Sequence, residues 1–178
     1  MVNFKNDEQL NTLNHSCAHL MAQAIKHIYP QAKFWVGPVV AEGFYYDVDL
    51  GEDVIHDDDI AKIEKEMKKI VKEGATLERF TLPRQEAIDL MKKREEPYKV
   101  ELIEDLPEDA TISFYKQGDF TDLCAGPHLM SVKPIKAFKL TASSGAYWRG
   151  NENNKMLTRI YGTAYTKKAD LEERLKYL

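Results

Sequence analysis

Four side chains able to bind a metal, hydrogen-bond or move protons fall in two short clusters. H-S-C-A-H supplies His15 and His19, and D-L-C-A-G-P-H supplies Cys124 and His128. On a helix, residues four apart project side by side, so His15 and His19 aim two imidazoles at one spot. Gly126 and Pro127 argue against a continuous helix in the second cluster, and a tight loop there can aim Cys124 and His128 at a common point. Together the quartet has the donor types of a tetrahedral zinc site, without the C-x-x-C knuckle of common structural sites. Metal-free chemistry is equally open: Cys124 as nucleophile with a histidine as base, or Asp122 as orienting carboxylate or as base toward water. Two residues apart in a strand, Asp122 and Cys124 share a face. H-E-x-x-H and phosphate-cradling glycine loops are missing from the sequence, so neither ATP nor NAD chemistry is supported.

These residues need elements to hold them. Residues 8 to 29 read as an amphipathic helix, with Leu13, Cys17, Leu20, Met21, Ala24 and Ile28 on one stripe and Pro30 as terminator. At about 100° per residue, His15 and His19 lie roughly opposite that stripe, so they are either exposed or lining a cleft. Cys17, on the stripe, reads as a buried structural thiol. Residues 33 to 50 read as two strands around a turn. A helix follows from about Asp59 to Glu73, stopped by Gly74, then a strand near 76 to 82 and a helix starting at Pro83. Residues 97 to 106 read as a short helix or turn. Strand signals follow at 112–116, 119–124, 135–141, 145–149 and 158–165, and a last helix runs from about Ala169 to Leu178. The expected class is α+β, a largely antiparallel sheet packed with helices.

Composition narrows the function classes. With 43% hydrophobic and 30% charged residues, the 178-residue chain can build one good core. A net charge of −4 argues against a generic basic nucleic-acid binder. Lys62, Lys65, Lys68, Lys69 and Lys72 read as a solvated helix face. Without a long apolar run or an apolar leader core, the expected compartment is the cytoplasm, with reduced cysteines and no membrane partner. His27 and His56 read as surface residues, and Trp35 and Trp148 as packing, with Trp148-Arg149 a possible RNA contact.

Five ordered blocks are more specific: H-S-C-A-H-L-M-A-Q-A-I-K, V-G-P-V-V-A-E-G-F-Y-Y-D-V-D, P-Y-K-V-E-L-I, D-L-C-A-G-P-H and S-S-G-A-Y-W-R-G-N-E-N-N-K-M-L-T-R-I-Y-G-T-A-Y. From about Leu13 to Leu178 the chain resembles the editing domain of bacterial threonyl-tRNA synthetase. The division this implies is a lead-in at 1–12, an editing domain at 13–166, and at 167–178 the start of a linker helix that breaks off. The resemblance implies hydrolysis of mischarged seryl-tRNA(Thr), with the acceptor end of tRNA(Thr) as partner and no cofactor required. Zinc on His15, His19, Cys124 and His128 belongs to related alanyl-tRNA deacylases, the alternative reading; a catalytically idle tRNA-binding module is the third. Residue by residue, the resemblance implies catalytic roles for His15, Lys99, Asp122 and His128, and a substrate pocket shaped by His19, Tyr46 and Cys124. Ala125 stands where many relatives have Arg. The ATP-binding core and anticodon-binding domain of a full synthetase have no counterpart here, so the chain is not expected to attach threonine by itself.

Overall fold

The computed structural model describes residues 6–51, 53, 55–74, 76–124, 135, 137–147, 156–166 and 168–176. His128, together with Ala125, Gly126, Pro127, Trp148 and Arg149, lies outside the described residues.

The helix read at the N-terminal end is α1, Glu8–Ile28. Asp7 starts it by accepting the Leu10 N–H at 3.0 Å, a cap typically worth about 1 kcal/mol. Of its stripe, Leu13, Cys17, Leu20, Met21 and Ala24 are buried and Ile28 is partly buried against the same core. They face a five-stranded sheet built from β1 (Lys33–Phe34), β2 (Val39–Val40), β3 (Gly43–Asp49), β7 (Ala137–Tyr147) and β8 (Met156–Tyr165). Its order is β1-β3-β8-β7 with β2 also on β3, and all the pairings are antiparallel. Helix α2 (Asp57–Glu73) packs beside α1, burying Ile63, Met67 and Ile70 in the same core.

A second core lies between α3 (Arg84–Lys93), α4 (Pro97–Glu104) and a three-stranded antiparallel sheet, β4 (Leu77–Thr81), β5 (Ser113–Gln117) and β6 (Phe120–Leu123). Ala87, Met91, Ile103 and Phe114 are its fully buried members. Helix α5 (Lys168–Leu175) returns against β7 and β8. The architecture is α+β, as read.

Three details differ from the sequence reading. The stretch from 33 to 50 holds three strands, because β1 and β2 pair with opposite ends of β3: Phe34 opposite Val48, and Val39 opposite Phe44. The described parts of the segments at 135–141 and 145–149 join in one strand, Ala137–Tyr147, whose register shifts between Leu140 and Ala142. At that irregularity the Leu140 N–H donates to Glu64 Oε1 of α2 at 2.7 Å. Helix α2 begins two residues early because Asp59 reaches back to the His56 N–H at 2.9 Å in a capping box. It ends where Gly74 takes the left-handed conformation, φ 69°.

Candidate active site

The two cores meet along the polar side of α1, and that seam gathers the chemistry. Asn14, fully buried, ties α1 to β8: its Nδ2 donates to Ala164 O and its Oδ1 accepts the Ala164 N–H, both at 2.9 Å. This pairing fixes the rotation of α1. With the apolar stripe on the sheet, His15 and His19 turn toward α4 and β6, His19 buried and His15 half-buried. They face the seam, His19 against Asp122 and His15 against Cys124, rather than the outer surface.

Asp122 is the hub. It lies in β6 opposite Tyr115 and is 2% exposed. Three donors converge on it: Lys99 Nζ at 2.9 Å, Tyr46 Oη at 2.5 Å and His19 Nδ1 at 3.1 Å. Lys99 also donates to Tyr46 Oη at 2.9 Å. Tyr46 therefore receives one proton contact and passes on its own. The strand period places Tyr46 on the inward face of β3 with Phe44 and Val48. Its ring runs against Gly37, where any side chain would collide with it. Lys99 is delivered by the first turn of α4, which the Tyr98 hydroxyl anchors to Asp49 of β3 at 2.7 Å. Such a buried cation and anion persist because each satisfies the other; removing one leaves an uncompensated charge.

Cys124 follows β6 directly. Its N–H donates to Ser113 O at 3.0 Å, and Ser113 Oγ donates to Cys124 O at 2.8 Å. So held, its Sγ lies 3.3 Å from His15 Nε2. The His15 and His19 rings sit edge to face, 5.4 Å between centroids. Of the seven residues named from the sequence, the fold brings six together: His15, His19, Tyr46, Lys99, Asp122 and Cys124; His128 lies outside the described residues.

The electrostatics assign protons. Burial, then the charges of His15 and Lys99, hold His19 well below the usual imidazole range. A neutral His19 facing a carboxylate with Nδ1 carries its hydrogen there, which leaves Nε2 as the acceptor. Burial, then the charge of Asp122 and its hydrogen bond, push Tyr46 well above the usual phenol range, so it remains a donor. Cys17, by contrast, is pushed upward by burial alone and belongs to the core.

The donor set fits a metal ion. Ligating atoms of His15, His19 and Cys124 all lie within 4.8 Å of one another, which suits tetrahedral bonds of about 2.0–2.3 Å. The Asp122 contact to His19 is also the carboxylate support that metal-bound imidazoles use. Were zinc bound, His15, His19 and Cys124 would hold it, and it would polarise a water or a carbonyl.

Two polar groups escaped the sequence reading. Glu96, the N-cap of α4, is 7% exposed, with Oε2 accepting the Phe34 N–H at 3.3 Å and Oε1 buried without a hydrogen-bond partner among the described residues. The signal available was an acidic residue immediately before a Pro-led helix carrying Lys99. His27, read as a plain surface residue, instead bridges Glu66 Oε1 at 2.9 Å and Asp119 at 3.0 Å. Its place on the His15–His19 face, two turns on, was the legible hint.

Comparison with known proteins places the chain beside a tRNA synthetase domain. Residues 112–161, which include Asp122 and Cys124, match the family model described as threonyl and alanyl tRNA synthetase second additional domain. The whole chain is 57% identical to a threonine–tRNA ligase of Clostridium acetobutylicum, of which it covers 28%. It is 59% identical over 172 residues to the corresponding ligase of Acetivibrio thermocellus, covering 27% of that protein. With that of Clostridioides difficile it shares 59% identity over 175 residues. The chain thus spans little more than a quarter of the length of these relatives. Residues 112–161 thus carry the signature of the threonyl and alanyl tRNA synthetase second additional domain, within a chain that is similar along its whole length to part of threonine–tRNA ligases.

Proposed function

We propose that this domain hydrolyses the ester of seryl-tRNA(Thr). The observation that carries the reading is a buried carboxylate, Asp122, gripped by Lys99, Tyr46 and His19 beside the half-buried His15–Cys124 pair. A synthetic site discriminates a missing methyl group by only about 1–3 kcal/mol. Serine is threonine without one methyl, so a second site that admits serine and excludes threonine removes the residual errors.

In this reading Asp122 receives the α-ammonium of the aminoacyl group. His15 orients the attacking water and accepts its proton. Water oxygen bonds to the ester carbon, and the bond to the terminal ribose oxygen breaks as that oxygen takes up a proton. Lys99 stabilises the developing oxyanion, as preorganised donors do in a water-poor site. His19, Tyr46 and Cys124 bound the serine-sized space, and His128 completes the set in the sequence. The acceptor end of tRNA(Thr) is the partner.

The reading is metal-independent. Its support is Lys99, whose buried charge already acts on His19 and would oppose a cation held by the same imidazole. One observation favours a second reading, a zinc-dependent alanyl-tRNA deacylase: the mutual proximity of the His15, His19 and Cys124 donor atoms.

Single-turnover deacylation of seryl-tRNA(Thr), threonyl-tRNA(Thr) and alanyl-tRNA(Ala), with and without chelator, separates the readings. Loss of serine alone, unchanged by chelator, is the expected result. Chelator-sensitive loss of alanine selects the second reading, and no hydrolysis of any of the three excludes both for this chain.

A further inference from the structure

Glu96 and Lys99 stand at the N-cap and third positions of α4, the two places whose side chains meet across a first helical turn. Lys99 therefore has two carboxylates as neighbours. Asp122 already receives Lys99, Tyr46 and His19. Glu96 is buried, yet among the described residues its Oε1 receives no donor. Polar atoms in such positions are rare enough in folded proteins to need a reason.

Charge supplies one. If the α-ammonium of an aminoacyl ester docks on Asp122, it competes with the ammonium of Lys99 for the same oxygens and adds a positive charge to a buried site. We propose that Glu96 is the second seat of the Lys99 ammonium, a positioning residue that receives Lys99 when a substrate ammonium takes Asp122. The proposal rests on the reading of Asp122 given above. An ammonium has three N–H donors. Lys99 can thus exchange its Asp122 bond for Glu96 Oε1, keep Tyr46, and hold the third N–H for the ester oxygen.

The groups facing Glu96 agree with this role. Lys99 of α4, Lys26 of α1 and the Phe34 N–H of β1 favour its charge, while Asp122 of β6 opposes it and Tyr46 of β3 is felt from the same side. Burial, only partly offset by Lys99 and Lys26, pushes Glu96 up to about 7. A cation arriving on Asp122 shifts the balance toward ionised Glu96. Near neutrality, docking then releases the Glu96 proton to solvent.

The test uses the whole chain and a seryl-adenosine whose ester is replaced by an amide, so binding is read without hydrolysis. Calorimetry in buffers of different ionisation enthalpy counts released protons at about pH 6 and about pH 8, a window set by a Glu96 that titrates near neutrality. The expected parent-to-E96Q affinity ratio is close to one at the lower pH and about tenfold at the higher, the ligand's own titration cancelling in the ratio. E96Q loses the proton release, and Glu96→Asp recovers part of both. Binding to both proteins with a pH-independent ratio overturns the role of Glu96 and leaves the Asp122 reading intact. Absence of binding to the parent overturns both. Should E96Q fail to fold, carbon NMR of labelled glutamate in the parent decides. One carboxyl titrating near neutrality and shifting to lower pH with ligand is expected, and no such carboxyl overturns the proposal.

Discussion

Along a single face of α1, His15 and His19 meet Asp122, Lys99, Tyr46 and Cys124, whereas one and two turns further on Gln23 and His27 meet Asp119, Gln117 and Glu66. The spacing is the same, four residues at each step, and the facing element is the same β5–β6 hairpin. Gln23 donates to Asp119 at 3.1 Å and accepts from Gln117 at 2.6 Å. His19 and His27 are nevertheless shifted in opposite directions from the ordinary imidazole value. His19 is 4% exposed beside a buried lysine, and is kept neutral. The His27 side chain is 29% exposed; its partial burial lowers it, but hydrogen bonds and charges from Asp119 and Glu66 prevail and raise it. Helical spacing delivers an imidazole to a place; burial and the sign of its neighbours decide what it does there. In the proposed function the inner station serves the chemistry, while the outer one ties α1 and α2 to the hairpin.

The comparison breaks first at Asp122. An Asp122→Asn protein is expected to lose about a thousandfold in single-turnover deacylation, because the neutral amide no longer pairs with the α-ammonium and losing one partner of a buried charge pair costs about 2–5 kcal/mol. Asp122→Ala also strands Lys99, at about 3–5 kcal/mol of stability by urea unfolding. A variant hydrolysing at the parental rate would detach the inner station from catalysis. Next is His15→Ala, expected to lower the rate about a hundredfold while the urea midpoint stays nearly constant. An unchanged rate removes His15 from the mechanism.

Asn14→Ala acts on both stations through the seating of α1. Two backbone groups lose their partner, an expected cost of about 2 kcal/mol in urea unfolding, with slower deacylation as a consequence. A loss of stability with an unaltered rate would mean that packing alone sets the rotation of α1. The smallest effect is expected at the outer station. A histidine whose folded value is raised contributes stability that is fully present below its unfolded value, near 6.5, and lost as pH rises through the folded value. Relative to the parent, His27→Gln should therefore be less stable by up to about 1 kcal/mol in mild acid. The gap should close above neutrality, with the deacylation rate constant throughout. A gap independent of pH would assign His27 to packing instead.

Much of the frame was legible beforehand. The apolar stripe of α1 and the Gly74 stop of α2 each follow from a local period or a local backbone preference. Local pattern failed where pairing partners decide: β1 and β2 separate only because β3 has two ends to pair with, and β7 is continuous because β8 runs alongside it. Among site residues, spacing offered His15, His19, Asp122, Cys124 and His128, the last outside the described residues, while Lys99 and Tyr46 were named only through resemblance. Nothing local marks one lysine among many as buried.

By itself the sequence determined the donor types, the helix that carries two of them on one side, and the family blocks around the rest. The tertiary structure decided that Asp122 and Lys99 pair in the interior, that His19 is neutral while His27 is raised, and that Glu96 is buried with no donor on Oε1 among the described residues. The division has a physical cause. Periodicity and capping depend on neighbours a few residues away, whereas charge state and hydrogen-bond satisfaction depend on what is excluded from water. For this site that exclusion is made by α1, β3, α4 and β6 closing over one carboxylate from distant parts of the chain.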